Sequence, residues 1–242
     1  MHIHSALSAC GEDIMSPRLI LEQAVQKKIQ LISITDHNAI QHSMTACLKS
    51  INLPIRVIPG VELTTREEVH LLAYFPTIDT LVKMEKIIDD HLVKGKNNAR
   101  LFGYQLHYDD NGEILEIDNR LRHSALNIGL DELIKVIHEM QGIAIPAHID
   151  KNRFSLLSQL GFLDPMSKFD GVEVSKFKWR KSGFALGDAY LGFPVIAGSD
   201  SHSLEDIGQF FLEDDKEGIK DFFTLKKFLR NVMNEGHSGS PV

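Results

Sequence analysis

The sequence predicts an α/β fold built on a parallel sheet, with a (β/α) barrel as the expected architecture. Short apolar runs alternate with amphipathic helical patterns over the 242 residues, and parallel strands require helical crossovers of this kind. Histidine and carboxylate side chains stand at or just after the ends of several apolar runs, as the C-terminal rim of a barrel requires. An open doubly wound sheet is the competing architecture, but no glycine-rich phosphate turn follows the first strand position.

The individual elements follow from caps, apolar periodicity and turn residues. Ser16 and Pro17 form an N-cap and first-turn pair, which predicts that a helix begins there. The runs at 55–63 and 69–75 are close enough to form a hairpin around the polar stretch between them. In chain order the patterns predict this first helix, a strand at 31–35, a helix at 38–51, the hairpin, helices at 78–101 and 130–141, strands at 143–145 and 171–174, a helix near 182–191, strands at 193–197 and 208–212, and a helix at 219–235.

A long polar excursion interrupts this alternation. Residues 104–128 are expected to form a lid or a small insertion. We expect residues 1–235 to form a single barrel domain, although the length also allows two small domains. The tail, residues 236–242, is expected to be frayed.

The composition limits the classes of function. A formal net charge of −7 argues against a surface that coats nucleic acid. No apolar run approaches membrane-spanning length, and the N-terminus lacks the pattern of a signal peptide. The two cysteines, Cys10 and Cys47, form no disulfide framework, which suits a reducing cytosol. We therefore expect a cytoplasmic protein that makes no contact with a membrane.

Short motifs of histidine and carboxylate residues are spread along the whole chain. Imidazole and carboxylate are ligands of zinc, manganese and iron, and a strand brings its side chains to a defined edge of a sheet. Together the motifs predict a site for several metal ions and, from it, metal-assisted hydrolysis. The motifs are His2-Ile3-His4, Asp36-His37, Glu62 with His70, Pro146-Ala147-His148 and Ser199-Asp200-Ser201-His202.

Each motif also has a simpler interpretation. Asp36 could cap the helix that follows it, Glu62 could be an ordinary carboxylate at the rim, and His70 could be a hydrogen-bonded core histidine. The predicted hairpin favours function, because it brings the start of the second strand, with His70, towards the end of the first, with Glu62. Five weak motifs on successive strand ends are stronger than any one of them.

The first motif has no apolar strand in front of it. Either a few upstream residues are missing or residues 1–5 form a minimal strand alone. Cys10 lies close to this motif and could be a nearby thiol, but a small apolar residue is the simpler interpretation.

The order of these motifs resembles the PHP (polymerase and histidinol phosphatase) superfamily, and within it the stand-alone phosphoesterases. The resemblance runs from His2 to His202 and implies a distorted (β/α)7 TIM-like barrel. It implies two or three divalent ions, zinc, manganese or iron, at the C-terminal ends of the strands. A further ligand is expected in the loop after His-x-His, for which Glu12 is chosen ahead of Asp13. The implied metal ligands are His2, His4, Glu12, His37, Glu62, His70, His148, Asp200 and His202.

Metal charge would make a phosphate ester easier to hydrolyse, because it neutralises the ester oxygens and lowers the pKa of a bound water. Asp200 is expected to be both ligand and proton acceptor, and Asp36 to assist by accepting a hydrogen bond from the His37 ring or from nearby solvent. Arg153, Lys176 and Lys178 follow strand ends and are candidates for binding the substrate phosphate, with solvated surface charge as the alternative.

The predicted function is metal-dependent hydrolysis of a phosphate ester of a small metabolite or nucleotide by a metal-activated water. The alternatives are exonuclease-like hydrolysis of oligonucleotides, amide hydrolysis in a related metal barrel, and a metal-binding regulatory module without turnover. A nucleic-acid partner other than a nucleotide or short oligonucleotide is not expected, because the chain is acidic and lacks a basic aromatic groove.

Overall fold

The computed structural model describes residues 1–214 and 218–238, which form an α/β structure, as predicted. The helices are α1 (Pro17–Gln26), α2 (Gln41–Lys49), α3 (Ile78–His91), α4 (Ala99–Phe102), α5 (Leu130–Glu139), α6 (Leu156–Leu160), α7 (Lys176–Ser182) and α8 (Phe222–Ser238). The strands are β1 (Leu31–Ile32), β2 (Arg56–Val57), β3 (Gly60–Thr64), β4 (His70–Tyr74), β5 (Leu106–Tyr108), β6 (Ile114–Ile117), β7 (Ile143–Pro146), β8 (Val172–Val174), β9 (Ala189–Tyr190) and β10 (Phe193–Ala197).

The strands form four small sheets, and only part of the pairing is parallel. β1 pairs with β2, and β8 with β10, in parallel. β3 with β4 and β4 with β7 pair in antiparallel orientation, so the prediction of a parallel sheet is wrong for these pairs, whereas Glu62 of β3 forms a parallel bridge with His37. The reason is the short connection between β3 and β4, which closes a hairpin and leaves no room for a helical crossover. The predicted hairpin is thereby confirmed.

A few backbone hydrogen bonds join the sheets edge to edge. The backbone of Thr35 donates to Ile3 (2.8 Å), and that of His4 donates to Ser201 (2.9 Å). On the other side, Ile149 donates to Glu173 (2.8 Å) and so links the end of β7 to β8. Residues 2–4 therefore lie between the chain that follows β1 and the chain that follows β10, although an isolated bridge is their only strand pairing in the described residues.

Strand β4 is buried on both faces, which explains its nearly continuous apolar sequence. Leu71 and Ala73 belong to the core cluster that contains the inner faces of α3 and α5. Leu72 and Tyr74 point the other way, into a second cluster with Ile145 and apolar residues of α8. Successive side chains of a strand alternate between faces, so a polar residue between two apolar ones turns away from their core.

Several predicted elements differ from the structure in their extent. The predicted helix at 78–101 is two helices, α3 and α4, because a segment with glycine and asparagine at 95–98 separates them. The helix predicted near 182–191 ends at Ser182, where Gly183 adopts a left-handed backbone. Residues 208–212 form a turn and irregular backbone instead of a strand. Helix α8 extends three residues into the predicted tail, and residues 239–242 lie outside the described part.

The excursion at 104–128 contains an antiparallel hairpin, β5–β6, followed by a loop fastened to the body of the protein. The Asn38 side chain donates to the carbonyl groups of Arg122 (2.7 Å) and Ser124 (2.9 Å). Arg122 is itself buried and donates to the Asp118 carboxylate (3.0 Å). Buried hydrogen bonds thus hold the end of this segment, and its role as a lid or a small insertion stays a prediction. Among the described helices, none has the length and apolar character to cross a membrane.

Replacing Ile145 by alanine should lower the free energy of unfolding by about 2–5 kcal/mol, because the side chain is completely buried and its loss leaves a cavity. Ile51→Ala is the control: Ile51 is 68% exposed, and its loss should change stability by less than about 0.5 kcal/mol. Urea denaturation of the two variants measures the difference. Equal stabilities would contradict the placement of Ile145 in the core.

Candidate metal centre

Successive side chains of a strand point to opposite faces, and this brings the polar residues of several motifs to the face that points away from the core. Ile3 packs into a core cluster, so His2 and His4 on either side of it face the opposite way. In the same manner Val61 and Leu63 are core residues, and Glu62 between them turns inward. His2, His4 and Glu62 are all buried, and their metal-binding atoms lie within 4.8 Å of one another.

The candidate ligand atoms of His2, His4, Glu62 and Asp200 lie close enough together to share one cation. His2 Nε2 lies 3.3 Å from Glu62 Oε1 and 3.4 Å from Asp200 Oδ1. His4 Nε2 lies 3.2 Å from Glu62 Oε2, 3.3 Å from Asp200 Oδ1 and 3.2 Å from His2 Nε2. A tetrahedral ion with bonds of about 2.0–2.1 Å has edges of about 3.3–3.4 Å. Each of these pairs of donor atoms therefore has a spacing that fits coordination to one divalent cation.

Glu62 also faces three further imidazoles. Its Oε2 atom lies 3.1 Å from His37 Nδ1, and its Oε1 atom lies 3.2 Å from His70 Nδ1 and 3.5 Å from His148 Nε2. Strand β4 brings His70 here through the register Thr64–His70, as the predicted hairpin required. The His70 ring is held by a parallel stack on Phe154, with ring centroids 4.9 Å apart. Glu62 is thus common to both groups of candidate ligands.

A third group contains Cys10, which the sequence allowed as a nearby thiol but for which a small apolar residue was the simpler interpretation. Cys10 lies with His4 and His202 so that their ligand atoms are all within 4.8 Å of one another. Glu12, predicted as the extra ligand of this loop, is an exposed residue and belongs to none of the groups found among the described residues, and the same holds for Asp13. The signal for Cys10 was its position only six residues after His4, in the same loop.

Hydrogen bonds orient several of the rings. Glu173 Oε2 lies 2.9 Å from His2 Nδ1, and the Asp200 carbonyl lies 2.8 Å from His202 Nδ1. In each case the outer nitrogen is the donor, which leaves Nε2 free to bind a cation. Sequence reasoning missed Glu173, although a carboxylate flanked by Val172 and Val174 in an apolar strand is a signal of a buried, functional charge.

Asp36 has different partners from those predicted. Its carboxylate accepts hydrogen bonds from the backbone and hydroxyl of Ser5 (2.7 and 2.5 Å) and from the Ser8 hydroxyl (2.7 Å). The expected bond to the His37 ring is therefore wrong, because His37 turns its Nδ1 atom to Glu62 instead. Asp36 is buried and supports the loop that carries His4, without facing the cavity.

The cluster lies at the base of an open cavity of about 360 Å³. Lys151 and Arg153 line it, and Lys151 contacts the Asp200 carboxylate. Lys176 and Lys178, predicted as phosphate-binding residues, lie in α7 and do not line this cavity. A larger cavity of about 630 Å³ lies elsewhere, but the candidate metal ligands do not line it, so we place the chemistry in the smaller one.

The backbone of two candidate ligands is in the left-handed region. His148 has φ 31° and Asp200 has φ 47°. Residues other than glycine adopt such angles at a cost of about 1–3 kcal/mol and keep them where the surroundings enforce them. The strain aims both side chains into the cavity instead of along the strand direction.

The charges of the cluster shift its pKa values in opposite directions. Burial alone would lower the pKa of His4, but the neighbouring carboxylates of Asp200 and Glu62 raise it to about 9. Burial lowers the pKa of His202 to about 4, with the His4 charge acting in the same direction. Burial would raise the pKa of Glu62, but the surrounding histidines hold it well below its usual value.

Glu62 provides the test of whether a cation fits. It is completely buried, and within the described part of the chain neither of its carboxylate oxygens accepts a hydrogen bond. An ionised carboxylate without compensation is very costly to bury. The facing Nδ1 atoms of His37 and His70 are also buried without hydrogen-bond partners in the described residues. The Glu62 oxygens and these Nδ1 atoms face one another without a proton donor between them, and a cation bound between them would compensate their negative charge and lone pairs.

Comparison with known proteins agrees with this geometry. The family profile described as PHP domain matches residues 1–164, and that described as PHP-associated matches residues 189–232. No curated protein matches the chain.

Solved structures share the fold at low sequence identity. Endonuclease Q, solved with a 27-mer duplex that has an abasic lesion at its active site, has a TM-score of 0.61 and 19% identity over 96% of this chain; the chain spans only 56% of its length. An amidohydrolase from Chromobacterium violaceum has a TM-score of 0.54 and 18% identity, covering 94% of this chain and 95% of its own. A protein from Bifidobacterium adolescentis, assigned as a metal-dependent phosphoesterase, has a TM-score of 0.51 and 18% identity, covering 95% and 94%.

Glu62→Gln should lower the affinity for divalent ions by at least about 100-fold, because it removes the charge shared by the two groups while keeping the size of the side chain. Elemental analysis and calorimetric titration with zinc or manganese measure the change. Glu132→Gln, an exposed carboxylate in the first turn of α5, is the matched control and should bind as the wild type does. Wild-type metal content in Glu62→Gln would show that Glu62 is not a ligand.

Metal affinity should also depend on pH. The raised pKa of His4 stabilises the metal-free fold below pH 6.5, and this contribution is lost as the pH rises through about 9. A cation must displace that proton, so apparent affinity should rise by about tenfold per pH unit between roughly pH 7 and 9. Calorimetry in buffers of different ionisation enthalpy would count the released proton. A flat affinity profile would contradict the raised pKa of His4.

Proposed function

We propose that this chain, which belongs to the PHP domain family, hydrolyses phosphate esters of a small metabolite or nucleotide at the centre around Glu62. The family makes it a hydrolase that depends on divalent metal ions. The observation that carries the proposal is the buried Glu62 carboxylate, which faces several imidazoles at the base of a cavity with two cationic side chains in its wall.

The donor groups define which residues would hold metal ions. One ion would bind His2, His4, Glu62 and Asp200, and a second would bind His37, Glu62, His70 and His148. Cys10 and His202, with His4 nearby, provide donors for a third, in place of the predicted Glu12. When bound, such ions would neutralise the ester oxygens and lower the pKa of a coordinated water.

The remaining residues of the cavity have roles in binding and proton transfer. Arg153, exposed in the cavity wall, would bind the phosphate oxygens through its guanidinium group. Asp200 would accept the proton of the attacking water, since it is the cluster carboxylate with an exposed fraction of 15%. Lys151, which contacts Asp200, would keep that carboxylate ionised, because it holds the pKa of Asp200 low together with the histidines.

The edge-to-edge hydrogen bonds between the sheets support a closed, distorted (β/α)7 barrel in a single domain, with the site at the C-terminal strand ends. Glu62 lies in the middle of β3, and His148 and His202 lie after β7 and β10, near the rim that such an architecture would use.

Hydrolysis of a phosphodiester in DNA is the second candidate. The likeness of fold to endonuclease Q, whose active site takes a lesion-containing duplex, favours it. The net charge of −7 is against it, because polyanion binding requires a basic surface. Because the fold is also similar to that of an amidohydrolase, amide hydrolysis is a further reaction to be tested.

A substrate panel tests the proposal. Protein loaded separately with manganese, zinc and iron is offered phosphomonoesters, nucleotides, phosphodiesters, an abasic duplex and simple amides. We expect turnover of a small phosphate ester, and a fall of at least about 100-fold in Asp200→Asn with folding intact. Cleavage of the duplex alone would establish the second candidate. A fully metal-loaded protein without any turnover would instead indicate a binding module.

A further inference from the structure

A chain of hydrogen bonds connects the inserted hairpin to the candidate ligand His4, and the direction of every bond in it is fixed. It begins at the end of β5, where the backbone of Tyr108 donates to His42 Nε2 (2.8 Å). A backbone N–H can only donate, so His42 Nε2 is the acceptor. A neutral imidazole then has its single proton on Nδ1. Burial beside His107 keeps His42 neutral, since it lowers the pKa of His42 to about 3.

The next step runs from His42 to Asp36. His42 Nδ1 donates to the Ser5 hydroxyl (2.6 Å), which also accepts from the backbone of Leu7 (3.2 Å). The single hydroxyl proton of Ser5 is therefore directed to Asp36 Oδ2 (2.5 Å). All of these groups are completely or almost completely buried, so water does not compete for the bonds.

The last step runs from Asp36 to His4. The Ser8 hydroxyl uses its one proton on Asp36 Oδ1 (2.7 Å) and accepts from the backbone of His37 (3.1 Å). Its contact with His4 Nδ1 (3.2 Å) is therefore one in which His4 donates. His4 then has its neutral-state proton on Nδ1, and Nε2 is the atom that faces Glu62 and Asp200.

We propose that His42 is a positioning residue: through Ser5, Asp36 and Ser8 it fixes the tautomer and orientation of His4, and it ties them to the β5–β6 hairpin. The inference rests on the metal centre of the proposed function and is independent of the reaction. Residues that orient a ligand from behind typically change metal affinity by about 10–100-fold when they are replaced. The hairpin is therefore part of what retains the metal.

Two substitutions of His42 separate the two halves of this chain of hydrogen bonds from Tyr108 to His4, which we call the relay. In His42→Gln the amide reaches the place of Nε2, so it can accept from Tyr108 but no longer donates to Ser5. In His42→Asn the amide lies at the place of Nδ1, so it can donate to Ser5 but leaves the Tyr108 amide without its acceptor. Ser8→Ala removes the bond to His4 directly.

Zinc titration of folded, metal-free protein is the main measurement. We expect affinity to fall by about 10–100-fold in Ser8→Ala and by about tenfold in His42→Gln. His42→Asn should bind zinc almost as well as the wild type, while the Tyr108 amide exchanges faster with solvent. Equal losses in both His42 variants, or wild-type affinity in His42→Gln, would overturn the relay.

A spectroscopic measurement on the wild-type protein needs no variant. It therefore tests the relay even if the substitutions prevent folding. The ring 15N shifts of the zinc-loaded protein should show His42 and His4 protonated on Nδ1, with His42 Nε2 bare. A His42 proton on Nε2 would disprove the relay. Because neither readout uses turnover, a protein that passes these tests but hydrolyses no ester would retain the relay and lose only the proposed reaction.

Discussion

The buried charge of Glu62 is the constraint on which the rest of the centre depends. A fully buried carboxylate without hydrogen-bond donors is among the most unfavourable groups that a fold can contain, and here it sits between core residues of β3. Five histidines from four separate parts of the chain surround it, and the Nδ1 atoms of His2 and His4 are held by Glu173 and Ser8. The arrangement is stable only if cationic charge occupies the space that these atoms share.

Strand alternation lets one short sequence serve both the core and the site. In β3 and β8, each buried carboxylate is flanked by two aliphatic residues that pack against the helices. The same division holds at the N-terminus, where Ile3 enters a core cluster and the two neighbouring histidines do not. The core therefore fixes the backbone of the ligands, and precision at the site is a result of packing elsewhere.

The sequence predicted the parts of the site that single strands present. His70 and Glu62 could be brought together from the hairpin pattern alone, because the connection between the two strands is too short for any other arrangement. The contact of Glu173 with His2 and the partners of Asp36 could not be predicted in this way, because they depend on how separate loops pack around residues 2–8. Glu12 was chosen ahead of Asp13 because the resemblance implies an acidic or histidine ligand in this loop, whereas the path of the loop brings Cys10 near His4 and His202. The antiparallel pairing of β7 with β4 could not be predicted from the sequence either, because an apolar run does not indicate the direction of the strand beside it.

The wide separation of these groups along the chain has a consequence for folding. His2 and its carboxylate partner Glu173 are 171 residues apart, and Asp200 lies further still. Bringing such distant segments together has a high loop-closure entropy, so the complete donor set forms only when almost the whole chain has been synthesised and has collapsed. A nascent or partly unfolded chain would present isolated histidines that hold metal weakly. Metal ions then favour the finished structure over every partial one, and their release on unfolding makes the loss of structure and the loss of the centre a single event.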